Sequence, residues 1–124
     1  MSTSAQIPVR VTVVGPCASG KTTLVERLRS AGYDAWVTAQ EHSAVADLWN
    51  HRQPDALIGL KTDLATIRER RGETWSKAIY DAQMARLQNA YQSAGLVVDT
   101  TVRSEDESLR EALAYLNEVG GERR

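Results

Sequence analysis

Apolar positions along this chain recur with two periods that take turns. Val9, Val11, Val13 and Val14 crowd one short run, and β-branched residues so close together predict a strand buried within a parallel sheet. Leu24, Val25 and Leu28 then fall at i, i+1 and i+4, the stripe of a helix packed on one side, with Gly32 suited to its stop. The change of period repeats. "DAWVTA", residues 34–39, predicts a second strand, and Val45, Leu48 and Trp49 predict a short helix stopped by Pro54. "ALIGLK", residues 56–61, predicts a third strand, after which Asp63 can cap a helix carrying Leu64 and Ile67 and ending in "RERRG". Ser76 can cap a long helix with Tyr80, Met84, Leu87 and Tyr91 turned to the core. "LVVDTT", residues 96–101, predicts the fourth strand. Ser104 to Glu107 then form a capping box for a helix with Leu109, Leu113 and Leu116 inward, ended by Gly120 and Gly121.

Strands alternating with helices specify an α/β domain: three layers, with a short, mainly parallel four-stranded sheet flanked by helices. A chain of 124 residues suits one such domain. It is expected over residues 8–119, with 1–7 a flexible arm and 120–124 a flexible tail.

The join between the first strand and helix carries the chemistry. Gly15-Pro16-Cys17-Ala18-Ser19-Gly20-Lys21-Thr22 fits G-x-x-x-x-G-K-[ST], the phosphate-binding loop known as the P-loop. Such a loop works only between a strand and a helix, because it aims backbone N–H groups and the positive end of the helix at an anion. Gly15 and Gly20 allow backbone angles and a close approach that a Cβ would obstruct. Lys21 is expected to reach the β- and γ-phosphates, and the Thr22 hydroxyl to ligate Mg²⁺. Ser19, Thr23 and the first-turn amides complete the predicted nucleotide-binding set.

Composition narrows the partners. Fifteen basic residues against sixteen acidic ones, a formal charge of −1, leave no electrostatic footprint for nucleic acid. No apolar run approaches the roughly 18 residues of a membrane span, and "MSTSAQIP" has neither the charged nor the hydrophobic region of a signal peptide. A cytoplasmic chain with no membrane partner is expected; monomer and homodimer both stay open. Cys17 is the single cysteine, which predicts no internal disulfide and no cysteine-based metal site. It fills a position of the loop where any small residue is expected to serve.

Four stretches together resemble the P-loop nucleoside and nucleotide kinases, thymidylate-kinase-like proteins in particular: "GPCASGKTT", "PDALIGLKTDLATIRERRGE", "YDAQMARLQNAY" and "LVVDTTVRSEDESLREALAYL". The resemblance implies a strand order 2-1-3-4 and a bound ATP, or GTP, with Mg²⁺. It implies a γ-phosphate passed to a small, nucleoside- or nucleotide-like acceptor that the chain does not identify. Lid arginines of that family close over the phosphates, which here points to Arg68 and Arg71. The two share a helical face from which Arg70 is turned away. Glu41, at the tip of the second strand, is implied as the acid that handles Mg²⁺ or takes the acceptor's proton. The loop from Thr101 to Arg103 is implied to pack near the base.

The chain also departs from that family. Gln40-Glu41-His42 stands where an Asp-Arg or Glu-Arg pair is usual, and only 15 residues separate Gln40 from Ala56. His42 and His51 receive no role, and Trp36, Trp49 and Trp75 are read as core residues or as lining for a substitute pocket. Two other readings fit the letters. In "IGLKTDL" Asp63 could read a guanine edge as in small GTPases, although Leu60 replaces the usual asparagine. Alternatively, the chain is a sensor or partner module that binds nucleotide without transferring phosphate.

Overall fold

The computed structural model describes residues 7–122. Its elements are β1 (Arg10–Val14), α1 (Lys21–Ser30), β2 (Asp34–Val37), β3 (Ala56–Lys61), α2 (Leu64–Arg71), α3 (Lys77–Ser93), β4 (Leu96–Asp99) and α4 (Glu105–Glu122). All four strands are parallel in the order β2-β1-β3-β4, so the strand leading into the glycine-bracketed loop is central, as expected.

Alternation along the central strands divides the core. Val11, Val13, Ile58 and Leu60 point to the face covered by α1 and α4, where Leu24, Leu28, Ala112 and Leu116 meet them. Val14 and Leu57 point to the opposite face and pack on Leu87 and Ala90 of α3. Both faces are covered, which is why β1 presents valine to each, Val11 and Val13 to one and Val14 to the other. The caps form as read: Asp63 accepts from Thr66 N, Ser76 from Ile79 N, and Ser104 and Glu107 exchange hydrogen bonds reciprocally.

Four boundaries differ from the sequence reading. Strand β2 ends at Val37 rather than at residue 39. Val45, Leu48 and Trp49 do not form an α-helix; the segment after β2 holds 3-10 turns at Gln40–His42 and Leu48–Asn50. The cause is Gln40, fully buried, whose amide donates to Val45 O (2.7 Å) and accepts from Trp49 N (3.0 Å). It satisfies backbone groups that a helix would otherwise have paired. Strand β4 stops at Asp99, whose carboxylate accepts from Thr101 N at 2.9 Å and turns the chain. Helix α4 runs through Gly120 and Gly121 to Glu122, because Val119 packs on the α1–α4 core and outweighs glycine's helix cost of about 1 kcal/mol. Most of the expected tail is therefore helical, while residues 123–124 lie outside the described residues. Of the expected arm only Ile7 is described, and it is exposed.

Gly15 is required by close approach. A Cβ there would lie 3.0 Å from the Leu60 carbonyl oxygen of β3 and 2.6 Å from Ser19 Oγ. Gly15→Ala is expected to lower stability by about 1–3 kcal/mol, the usual range for overpacking. In urea unfolding, Gly121→Ala is the control, since a Cβ at that position meets nothing within 4 Å. Equal midpoints for the two variants would show that β3 yields to the methyl.

Candidate functional site

The loop between β1 and α1 is held in a shape that ordinary residues avoid. Ala18 (φ 63°) and Gly20 (φ 98°) both take left-handed backbone angles, a strain that persists only where surrounding structure enforces it. Gly20 occupies the cap position of α1 and offers no capping side chain. No capping side chain therefore occupies the amides at the positive end of the helix, where an anion site would use them.

Lys21 lies at this helix end. Its ammonium donates to Gly15 O (2.7 Å), Pro16 O (3.1 Å) and Glu41 Oε2 (2.6 Å). The Lys21 and Glu41 side chains are 11% and 4% exposed, so the pair is largely withdrawn from water. Only one carboxylate oxygen is used: Glu41 Oε1 is buried without a hydrogen-bond partner. Glu41 sits on the first 3-10 turn, and its carbonyl accepts from Arg86 of α3 at 3.1 Å, which fixes the turn over the loop. Lys21, Thr22, Glu41, His42 and Arg71 line one cavity of about 390 Å³ above the loop.

The arginines sort differently from the helical-face argument. Arg68 donates to Trp75 O at 3.0 Å and lines neither cavity described here. Arg70, expected to be turned away, instead crosses to Ala18 O (2.6 Å) and Thr100 O (3.0 Å). A long side chain at the last turn of α2 can reach back over the helix end, so facing alone does not decide its target. Arg71 borders the 390 Å³ cavity and stacks near Trp75. Among the described residues neither Arg70 nor Arg71 is ion-paired.

A second cleft of about 440 Å³ opens on the other side of the loop, between Thr23, Arg27, Arg70, Arg103 and Ser108. Buried Ser19 and Ser108 each present a hydroxyl with no partner, and both residues line this cleft. Arg103 is therefore at this cleft. Thr101 is not: its hydroxyl accepts from Asp63 N at 2.8 Å and ties the β3–α2 turn to the β4–α4 turn. Among the tryptophans, Trp36 is core and Trp49 packs against the α3 side, its indole donating to Asn89.

Sequence reasoning missed Gln83. This α3 residue is 2% exposed; its carbonyl oxygen accepts from Cys17 N (3.1 Å) and its amide donates to Cys17 Sγ (3.3 Å). Cys17 is thus gripped at two atoms rather than filling an indifferent position. The available signal was a polar residue between Tyr80 and Leu87 on the inward face of a helix, where an unpartnered amide is costly.

No protein-family model, curated protein or solved structure matches the chain. Among the described residues no helix is long and apolar enough to cross a membrane.

Proposed function

We propose that this chain is a P-loop protein that binds ATP with Mg²⁺ and acts as a small kinase, passing the γ-phosphate to a small nucleoside- or nucleotide-like acceptor. One observation carries the reading: the uncapped first turn of α1 and the Lys21 ammonium face the same 390 Å³ cavity. A strand-to-helix turn with no anion to bind has no use for a lysine and open amides there. The likeness to nucleoside and nucleotide kinases supports the same assignment.

A triphosphate entering the cavity competes with Glu41 for Lys21. Its oxygens meet the first-turn amides and draw the ammonium over, which leaves the Glu41 carboxylate free. The acceptor hydroxyl then attacks the γ-phosphorus, the bond to the β,γ-bridging oxygen breaks, and the departing electron pair stays on the diphosphate. The acceptor's proton goes to Glu41 or to water. Thr22 and Glu41 border the cavity with a hydroxyl and a carboxylate oxygen, a donor set suited to a hard cation. Bound there, Mg²⁺ would offset the charge of the phosphate oxygens. The second cleft, with Arg70 and Arg103 at its edge, suits the planar base, since guanidinium groups stack on flat π-systems.

The GTPase-like alternative loses ground on one point. Asp63 caps α2, and its hydrogen bonds from Thr66 hold the carboxyl below its ordinary range. One of its oxygens is therefore already used.

The test is incubation with γ-labelled ATP and a panel of nucleosides, nucleotides and small metabolites bearing hydroxyl groups. A labelled product is expected. Tight binding with neither transfer nor hydrolysis would leave a sensor, and no binding at all would end the reading. Arg71→Ala is expected to lower kcat several-fold with less change in KM, because charge spreads over the phosphoryl oxygens only in the transition state. Arg68→Ala, whose guanidinium serves Trp75 O, should change neither. Steady-state kinetics on both variants decide the point, and a larger kcat loss for Arg68 would reverse the assignment.

A further inference from the structure

The geometry points to a second use of the same turn: we infer that Cys17, His42 and Glu41 form a site for a thiophilic divalent ion of the zinc class. Cys17 Sγ lies 3.8 Å from His42 Nε2, which lies 3.7 Å from Glu41 Oε2. One ligand atom from each of the three falls within 4.8 Å of the others. Tetrahedral zinc, with Zn–S near 2.3 Å and Zn–N near 2.0–2.1 Å, sets its ligand atoms about 3.3–3.6 Å apart. The Cys17–His42 and His42–Glu41 pairs therefore need to close by only a few tenths of an ångström, and the more than half exposed His42 ring is free to supply that movement.

Two further features are those of a built site. Gln83 holds Cys17 by its amide nitrogen and by its sulfur, and hydrogen bonds of this kind orient a ligand. Glu41 keeps a buried oxygen with no partner while the other serves Lys21. The oxygen 3.7 Å from His42 is the one that serves Lys21, so an ion at the triad competes with the ammonium for Oε2 or takes Oε1 once the carboxylate turns. Three protein ligands leave a fourth position open, as zinc sites that bind water or substrate do. Cys17, Glu41 and His42 all line the cavity that Lys21 and Thr22 also line.

Sulfur and imidazole separate this ion from Mg²⁺. A hard cation takes oxygen ligands and gains little from a thiolate, so the Thr22–Glu41 pair and the Cys17–His42–Glu41 triad select different metals and compete for Glu41. The count of one cysteine predicts no cysteine-based site, and it is the fold that brings a loop thiolate beside a histidine 25 residues away.

The experiment uses the full, tag-free chain under reducing conditions without nucleotide. Titration with Co²⁺ is expected to give a saturable thiolate-to-metal charge-transfer absorption at one ion per chain, bleached by Zn²⁺. Cys17→Ser should abolish the band, and His42→Ala should weaken Zn²⁺ binding by more than about 10-fold, at least the loss seen for supporting residues. Gln83→Leu, a change to a positioning residue, should weaken it by about 10–100-fold while the band survives at high metal. Circular dichroism melts of each variant separate metal loss from unfolding. Absence of a saturable band, or equal Zn²⁺ affinity in folded Cys17→Ser and His42→Ala, overturns the assignment. Because no nucleotide is present, the outcome is independent of ATP binding: a chain that holds zinc but no triphosphate would sink the kinase reading alone.

Discussion

Glu41→Gln is expected to cut turnover by on the order of 10²-fold or more, the scale of lost general acid–base help, while leaving ATP affinity equal or higher. The asymmetry follows from the pair. Glu41 occupies the Lys21 ammonium at 2.6 Å, so a triphosphate must first displace it. An uncharged amide competes less for the lysine, which favours the phosphate. The variant should fold, since the glutamine oxygen can still accept from Lys21 and the ammonium keeps Gly15 O and Pro16 O. On the kinase reading, loss of charge removes only the group proposed to take the acceptor's proton or orient Mg²⁺. Calorimetry with ATP and single-turnover transfer measure the two halves. Unchanged or faster turnover would mean that Glu41 is merely the resting counter-ion of Lys21.

Lys21→Ala is expected to act on binding and on the fold. Removing a charge-assisted partner should weaken triphosphate binding by about 1.5–3 kcal/mol, roughly 10- to 140-fold. It also strands a carboxylate that is 4% exposed, with Oε1 already unpartnered. Breaking a buried pair on one side costs about 3 kcal/mol of stability or more. The double change Lys21→Met with Glu41→Gln removes both charges and should regain most of that stability without regaining ATP binding. Urea midpoints and calorimetry on the three proteins separate the effects. ATP affinity unchanged in a folded Lys21→Ala would refute the phosphate assignment, and a single variant as stable as the native chain would show that Glu41 escapes to water.

The catalytic prediction draws on two kinds of legibility. The loop from Gly15 to Thr22 was readable as a run of letters, because each requirement there is local: a glycine where β3 passes close, another where φ is positive, a lysine at a helix start. Glu41 was readable only as an acid at a strand end. That it pairs with Lys21 depends on Gln40, whose buried amide replaces a helix with 3-10 turns, and on Arg86, which pins the turn from α3. Arg70 and Arg68 exchange their expected places for the same reason: side-chain reach at a helix end is set by what lies across the gap.

The sequence by itself determined the alternation of strands and helices, their caps, and the layered parallel sheet, since these follow from apolar period and short-range hydrogen bonding. It also placed the Gly15–Lys21 loop letters at the join of β1 and α1. Only the tertiary structure decided what surrounds them: Gln83 on Cys17, Glu41 on Lys21, His42 beside Cys17, Arg70 on the loop, and Thr101 withdrawn to Asp63. Those contacts join residues from 20 to 66 positions apart. No local pattern encodes them, because each depends on how helices and turns settle over a sheet whose two faces must both be covered.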